Sequence, residues 1–350
     1  MKKFKSVAPW VAVFFFAATL NANDCAAQLK IAFKEPVNVK VNFPGVKIAS
    51  LTDSTRSTGS TLLLFPRGGH TVVDARGGSV AAIETTLLEE GSYSNLVDGI
   101  LLTGGSTMGL AATDGVRNVI FKQRATKGND FDFIPSIPGA VVFDYGGRIY
   151  PDNDKFVYPN RELGEALMSN LGDQFPVGRA GAGVSTTVNK GDRPRWGGQG
   201  VTVVEYGNIQ VMAVVVLNAG GDLIMEDGKS ISDSTDEIFP GSDDQNRESR
   251  VIPNDSKQNT TLSAIIVNIP MTRSQLKRVA VMTHTGMGAR IRPFHTPTDG
   301  DILFASTVGG DGDALKEAGA EVILGQIATE AMNHAIDNAL KASNFEKEEQ

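Results

Sequence analysis

Thr260 and Thr261 stand where a polar stretch becomes an apolar one within a single residue, in IPNDSKQNTTLSAIIVNIP (252–270). A threonine hydroxyl serves as a nucleophile only with a base beside it. Asn-Thr-Thr at such a junction also reads as a strand start or a glycosylation sequon, so the residues alone leave its role open. Lys190, in TTVNKG, and Asn218, in VVVLNAGG, each end an apolar run at a glycine. A polar side chain there can point into a cleft, although the ordinary reading is an exposed strand end. Asp299 and Asp301, in TDGDILF, come just before an apolar run. They read as an acidic turn, a weak Ca²⁺ contact, or a carboxylate pair that orients a base or nucleophile. Asp311 and Asp313, in GGDGDALK, suit N-capping of the last helix.

Other chemistries find little support. Gly178, Gly181 and Gly183 in GRAGAG lack the acidic residue that a dinucleotide loop needs further on. GGSTMG has Met108 where a nucleophile elbow has glycine. His70, His284, His295 and His334 never fall at metal-ligand spacing, which points to structural roles.

The elements that must hold these residues alternate between short apolar runs and glycine turns. GVKIASL, STLLLFP and HTVVDARGG read as strands with turn residues between them. NLVDGILLTGGSTMGLAATDGVRNVIFKQR reads as strand, glycine turn and a helix from about Thr107. GAVVFDY reads as a buried strand, and NRELGEALMSNL has helical spacing. GRAGAGVSTTVNKG is a glycine loop, and GVTVVEYGNIQVMAVVVLNAGGDLI a hairpin of two long strands. The stretch 229–258 is polar and charged, a long exposed loop of the kind that a compact domain keeps for a function. Beyond it come a strand (TLSAIIVNI), a helix from near Thr272, a strand (DILFASTVG) and a closing helix that Gly319 or Gly325 could break. Helix follows strand in both halves, which defines a layered α/β or α+β class.

Composition narrows the compartment and the partners. The 350 residues are 41% hydrophobic and 21% charged, with a net charge of -7. No basic run with interleaved aromatics marks a nucleic-acid surface. MKKFK followed by VAPWVAVFFFAATL and the small residues of NANDCAAQ has the form of an export signal over residues 1–27, cut after Ala27 or, less well, Ala22. The apolar run is too short to span a bilayer. Removal after Ala27 takes away Cys25, the sole cysteine, and leaves a chain without disulfide, thiol nucleophile or thiolate metal ligand. The expectation is an exported, periplasmic or secreted protein that is free of the membrane once the signal is gone.

The blocks GVKIASLTDSTRSTGSTLLLFPRGGHTVVDARGGSVAAIETTLL, VDGILLTGGSTMGLAATDGV, GAGVSTTVNKG, VVVLNAGGD, NTTLSAIIVN and RPFHTPTDGDILFASTVG occur in that order. Together they resemble the self-processing aminopeptidases: L-aminopeptidase/D-amidase-esterases, β-peptidyl aminopeptidases and 6-aminohexanoate oligomer hydrolases. The resemblance covers nearly the whole chain beyond the signal. It departs where SVAAIE stands in place of the family's Pro-Gly-Thr-Arg-Glu run, so recognition of a substrate amine there does not carry over.

The resemblance implies a four-layer αββα sandwich of the N-terminal nucleophile hydrolase type. It implies self-cleavage between Asn259 and Thr260, giving a large chain (28–259) and a small chain (260–350) of one folded domain. Thr260 becomes the nucleophile, and its freed α-amine, with a pKa of about 8, suits base catalysis at neutral pH. Lys190 matches the family's lysine near the nucleophile and Asn218 its oxyanion-stabilising asparagine. Asp299 and Asp301 match positions that hydrogen-bond the nucleophile and its amine, and Tyr145 matches a tyrosine near substrate in the nylon-oligomer branch. The implied reaction is hydrolysis of amides or small peptides through an acyl-enzyme, with no metal or organic cofactor, in a homotetramer of αβ units. Nylon-oligomer hydrolysis is the nearest alternative. Ornithine acetyl transfer on a related fold fits poorly with an export signal, and an exported solute-binding protein is the reading from another class.

Overall fold

The longest strand, Gly59–Ala75, joins two apolar runs that the sequence reads as separate strands. It belongs to a computed structural model that describes residues 34–125, 134–148, 156–190, 195–225, 227–231, 259–309 and 320–344. The leader, most of the polar stretch before Asn259, and Asp311 and Asp313 lie outside the described residues. Along Gly59–Ala75 the pairing register shifts between Leu64 and Gly69, and Gly68 takes φ +75°. Pro66, Gly68 and Gly69 therefore make a bulge that bends one strand rather than a turn that ends it.

Among the described residues nine strands form the main sheet: β1 (Lys47–Thr52), β2 (Gly59–Ala75), β3 (Ala82–Ile83), β4 (Leu96–Thr103), β5 (Gly139–Val141), β6 (Gln199–Tyr206), β7 (Ile209–Asn218), β8 (Thr260–Val267) and β9 (Ile302–Thr307). Their order is β6-β7-β8-β9-β2-β4-β5-β3, with β1 also on β2. The β8–β9 and β4–β5 pairs are parallel. β6 and β7 form the expected hairpin, turning at Gly207 with φ +60°.

The helices are α1 (Ala111–Ala125), α2 (Arg161–Ser169), α3 (Arg273–Met287) and α4 (Ala320–Asn344). α1 starts four residues later than the sequence indicates, because Ser106–Leu110 forms a 3₁₀ turn first. α3 begins with a capping box in which Thr272 and Gln275 satisfy each other's backbone N–H groups. α4 runs through Gly325 without a break. No described helix is long and apolar enough to cross a membrane.

Three cores separate four layers. Val211, Ala213, Val215 and Leu217 of β7 pack on Leu276, Val279, Ala328 and Ile336 of α3 and α4. The alternate residues Met212, Val214 and Val216 join Leu262, Ala264 and Ile266 of β8 and meet Ile48, Leu63 and Ile100. On the far side Leu62 and Leu101 pack on Ala112, Val116 and Leu167. Both faces of β7 and β8 are covered, which is why their sequences read as unbroken apolar runs. The layers are helix, sheet, sheet and helix, and the bent β2 carries hydrogen bonding from one sheet layer into the other.

Candidate active site

Alternation along β8 sends Leu262, Ala264 and Ile266 into the layer between the sheets, so Thr260 faces the edge of that layer. Asn218 ends β7 and stands directly opposite Thr260 in the pairing register. On the other side Asn259 bridges Asp299 in parallel. Thr260 is only 5% exposed. Its Oγ1 lies 2.5 Å from the carbonyl oxygen of Asn259. The N–H of Gly300 donates to that same oxygen at 2.6 Å. A Cβ on Gly300 would come within 2.7 Å of Thr260 Oγ1, so glycine here leaves room for the hydroxyl.

Lys190 and Asn218 meet behind this contact. Lys190 Nζ donates to the backbone oxygen and to Oδ1 of Asn218, each at 3.1 Å. Thr187 N–H also donates to Oδ1, at 3.1 Å. Asn218 Nδ2 donates to the Phe143 carbonyl at 2.9 Å. Burial lowers the pKa of Lys190 to about 7, against an opposing pull from the Asp299 and Asp144 carboxylates. An ammonium group loses hydration in such a place, so a neutral amine is populated near neutral pH and can accept a proton.

The two aspartates differ in what they hold. Asp301 is fully buried. Its Oδ1 accepts from Thr261 N–H at 2.7 Å, and its Oδ2 accepts from the His295 backbone and from His295 Nδ1, each at 3.0 Å. Asp299 accepts from Thr296 N–H at 2.8 Å. Burial raises the Asp299 pKa, and the neighbouring Asp301 charge adds to the rise. Asp301 is thus a bracket for the start of β8, whereas the surroundings of Asp299 work against its charged form.

Tyr145 lies two residues beyond the Phe143 carbonyl that Asn218 engages, half-buried, with the Arg148 guanidinium 3.7 Å from its ring centre. Sequence reasoning passed over the neighbouring Asp144. This buried carboxylate accepts from Thr58 Oγ1 at 2.6 Å and pairs with Arg148 at 2.9 Å. Burial raises its pKa, with Arg148 opposing. A Cβ on Gly104 would reach 2.2 Å from Asp144 Oδ2, which accounts for the first glycine of LTGGS. The available signal was the Asp-x-x-x-Arg spacing of DYGGR. No group of three or more His, Cys, Asp or Glu among the described residues could hold a metal ion.

The layered fold and the buried hydroxyl at a strand start define an N-terminal nucleophile hydrolase architecture. The L-aminopeptidase/D-Ala-esterase/amidase of Ochrobactrum anthropi, described as a variant of that fold, superposes with a TM-score of 0.67 at 19% identity, covering 89% of this chain and 88% of its own. The model of peptidase family S58 matches residues 39–348, and the chain belongs to that family. It is accordingly a hydrolase of amide bonds. A 6-aminohexanoate-oligomer endohydrolase of Paenarthrobacter ureafaciens is 34% identical over 278 residues, 77% of this chain and 74% of the relative. An uncharacterized aminopeptidase of Mycobacterium tuberculosis is 30% identical over 263 residues, 72% of this chain and 73% of the relative.

Proposed function

We propose that the chain cuts itself between Asn259 and Thr260 and then hydrolyses small peptides or amides through a Thr260 acyl-enzyme. One observation carries this reading. The Asn259 carbonyl oxygen lies against Thr260 Oγ1 and already accepts the Gly300 N–H. In the first step Oγ attacks the Asn259 carbonyl carbon while its proton passes to neutral Lys190. Negative charge grows on the oxygen at which Gly300 N–H is aimed, a donor placed before the reaction begins. The C–N bond breaks as the nitrogen takes a proton, leaving an ester between Asn259 and Thr260. Water hydrolyses the ester, freeing the Asn259 carboxylate and the Thr260 amine. The same hydroxyl then attacks a substrate amide, with the Asn218 side chain supporting the new oxyanion and Lys190 or the freed amine moving protons.

Within this reading the similarity to the Paenarthrobacter endohydrolase favours oligoamides of the 6-aminohexanoate type as a second substrate class. The leader-like first 27 residues support export, and the family resemblance supports a homotetramer of αβ units.

The test is a denaturing gel with N-terminal sequencing of the smaller fragment. Two fragments, the smaller beginning at Thr260, are expected from the native sequence. Thr260→Ala should stay whole and inactive, while Thr260→Ser should cut and keep some activity. Efficient cutting of Thr260→Ala would place the scissile bond elsewhere. A whole, inactive native chain that binds small solutes would favour the transport reading instead. Release assays over p-nitroanilides and 6-aminohexanoate oligomers then separate the substrate classes, and light scattering checks the tetramer.

A further inference from the structure

His295 takes φ +59°, a left-handed conformation that few residues other than glycine adopt, asparagine, aspartate and histidine most often among them. Its Nδ1 lies 3.0 Å from Asp301 Oδ2, and its own backbone N–H reaches the same oxygen. Asp301 then spends its other oxygen on Thr261 N–H, one residue after Thr260. The ring is fixed on two sides. Phe294 stacks on it at 3.8 Å between centroids, and the edge of His284 meets it at 4.4 Å. His284 is anchored in turn by Asp74 at 3.0 Å, and Asp74 by Arg76 at 2.7 Å and Lys277 at 3.3 Å.

We propose that His295 is a positioning residue for the Thr260 chemistry. Its Nδ1–H holds Asp301 in the rotamer that clamps the first peptide of β8, and the clamp keeps Oγ1 aligned on the Asn259 carbonyl. The inference rests on Thr260 as nucleophile. It adds that the alignment is set from the helix side of the sheet, by a residue that touches neither the reacting carbonyl nor the hydroxyl. Without Nδ1–H, Oδ2 keeps only the backbone N–H of residue 295, so the carboxylate is held less firmly and its bond to the second N–H of β8 is weakened. The loss falls on geometry, where a displacement of about 1 Å costs on the order of 100-fold in rate.

The two test variants both accept left-handed backbone. His295→Gly removes the donor, whereas His295→Asn keeps an N–H donor where Nδ1 stood. The readouts are the rate of conversion of uncut to cut chain after refolding, and kcat and KM on a p-nitroanilide. His295→Gly should slow self-cleavage at least tenfold and lower kcat with KM little changed. His295→Asn should recover most of both rates, with the native pH profile, because the role proposed for the ring is to donate a hydrogen bond and not to carry a proton. A glycine variant cutting at the native rate would overturn the proposal. So would an asparagine variant that melts at the native temperature yet cuts slowly, or one whose pH profile is displaced, which would make the ring a proton carrier. The asparagine arm decides the question even where the glycine variant fails to fold. N-terminal sequencing separates the two layers of argument: a small fragment starting away from Thr260 overturns the nucleophile assignment itself. A start at Thr260 with full-speed cutting in His295→Gly overturns only the role of His295.

Discussion

Lys190 is the residue whose environment says most about pH. Burial brings its pKa to about 7. The neutral form is the proton acceptor, so self-cleavage should rise with pH through about 7 and level off above it. Stopped refolding time courses between pH 5.5 and 8.5 would show this, and Lys190→Arg, which keeps its charge, should be slow throughout. A flat profile in the native chain would remove Lys190 as the base. Asn218→Ala should lower substrate turnover by roughly 10²–10³-fold, the range for loss of one oxyanion donor. The measurement is kcat on a p-nitroanilide, and near-native turnover would take Asn218 out of the mechanism. The strand-end placement of Lys190, Asn218, Asp299 and Asp301 was legible, because each polar residue interrupts an apolar run. Gly300 was not, since its closeness to Thr260 follows from the parallel pairing of β8 with β9 across 40 residues of chain. Nor was Asp144, because the Asp-x-x-x-Arg spacing of DYGGR allows an ion pair with Arg148 but does not say that the pair is buried.

At the level of elements, local signals were read well and long-range ones were not. The helix start near Thr272, the β6–β7 hairpin and the helix in NRELGEALMSNL all depend on residues within a few positions of each other, and the structure adds the caps at Thr272 and Asn160. The fusion of STLLLFP and HTVVDARGG into β2 depends on partners far away, namely β1 and β4 for its first half and β9 for its second. Glycine and proline serve a bulge as readily as a turn, so composition could not tell them apart. The cap offers a clean control for the site variants. Thr272→Ala should lower stability by about 1 kcal/mol, the usual cost of losing a cap, and leave self-cleavage unchanged. Denaturant melts and the cutting assay check the two halves of that statement, and a slowed cut would mean that α3 sets the geometry of β8.

On the scale of the molecule, the proposed cut falls at a place where it cannot take the structure apart. β8 and β9 belong to the part after the cut, yet they lie between β7 and β2, which belong to the part before it. α3 and α4 follow the cut as well and bury Leu276, Val279 and Ile336 against β7. Separating the two chains would open the β7–β8 and β9–β2 ladders and the short pairing of Asp222–Leu223 with Ile291–Arg292, and expose two of the three cores. Buried apolar area stabilises by about 25 cal/mol per Å², so a core-sized surface outweighs the small entropy released by one cut bond. The cut protein should therefore elute from a sizing column at the same volume as uncut Thr260→Ala and separate into two chains only in denaturant. Its melting temperature should lie close to that of the uncut form, because the bond that is cut leads into a strand already paired on both sides. Fragments that part in plain buffer would show that the strands after Thr260 are not interleaved as this topology requires. The nucleophile would then need some other means of staying at its site.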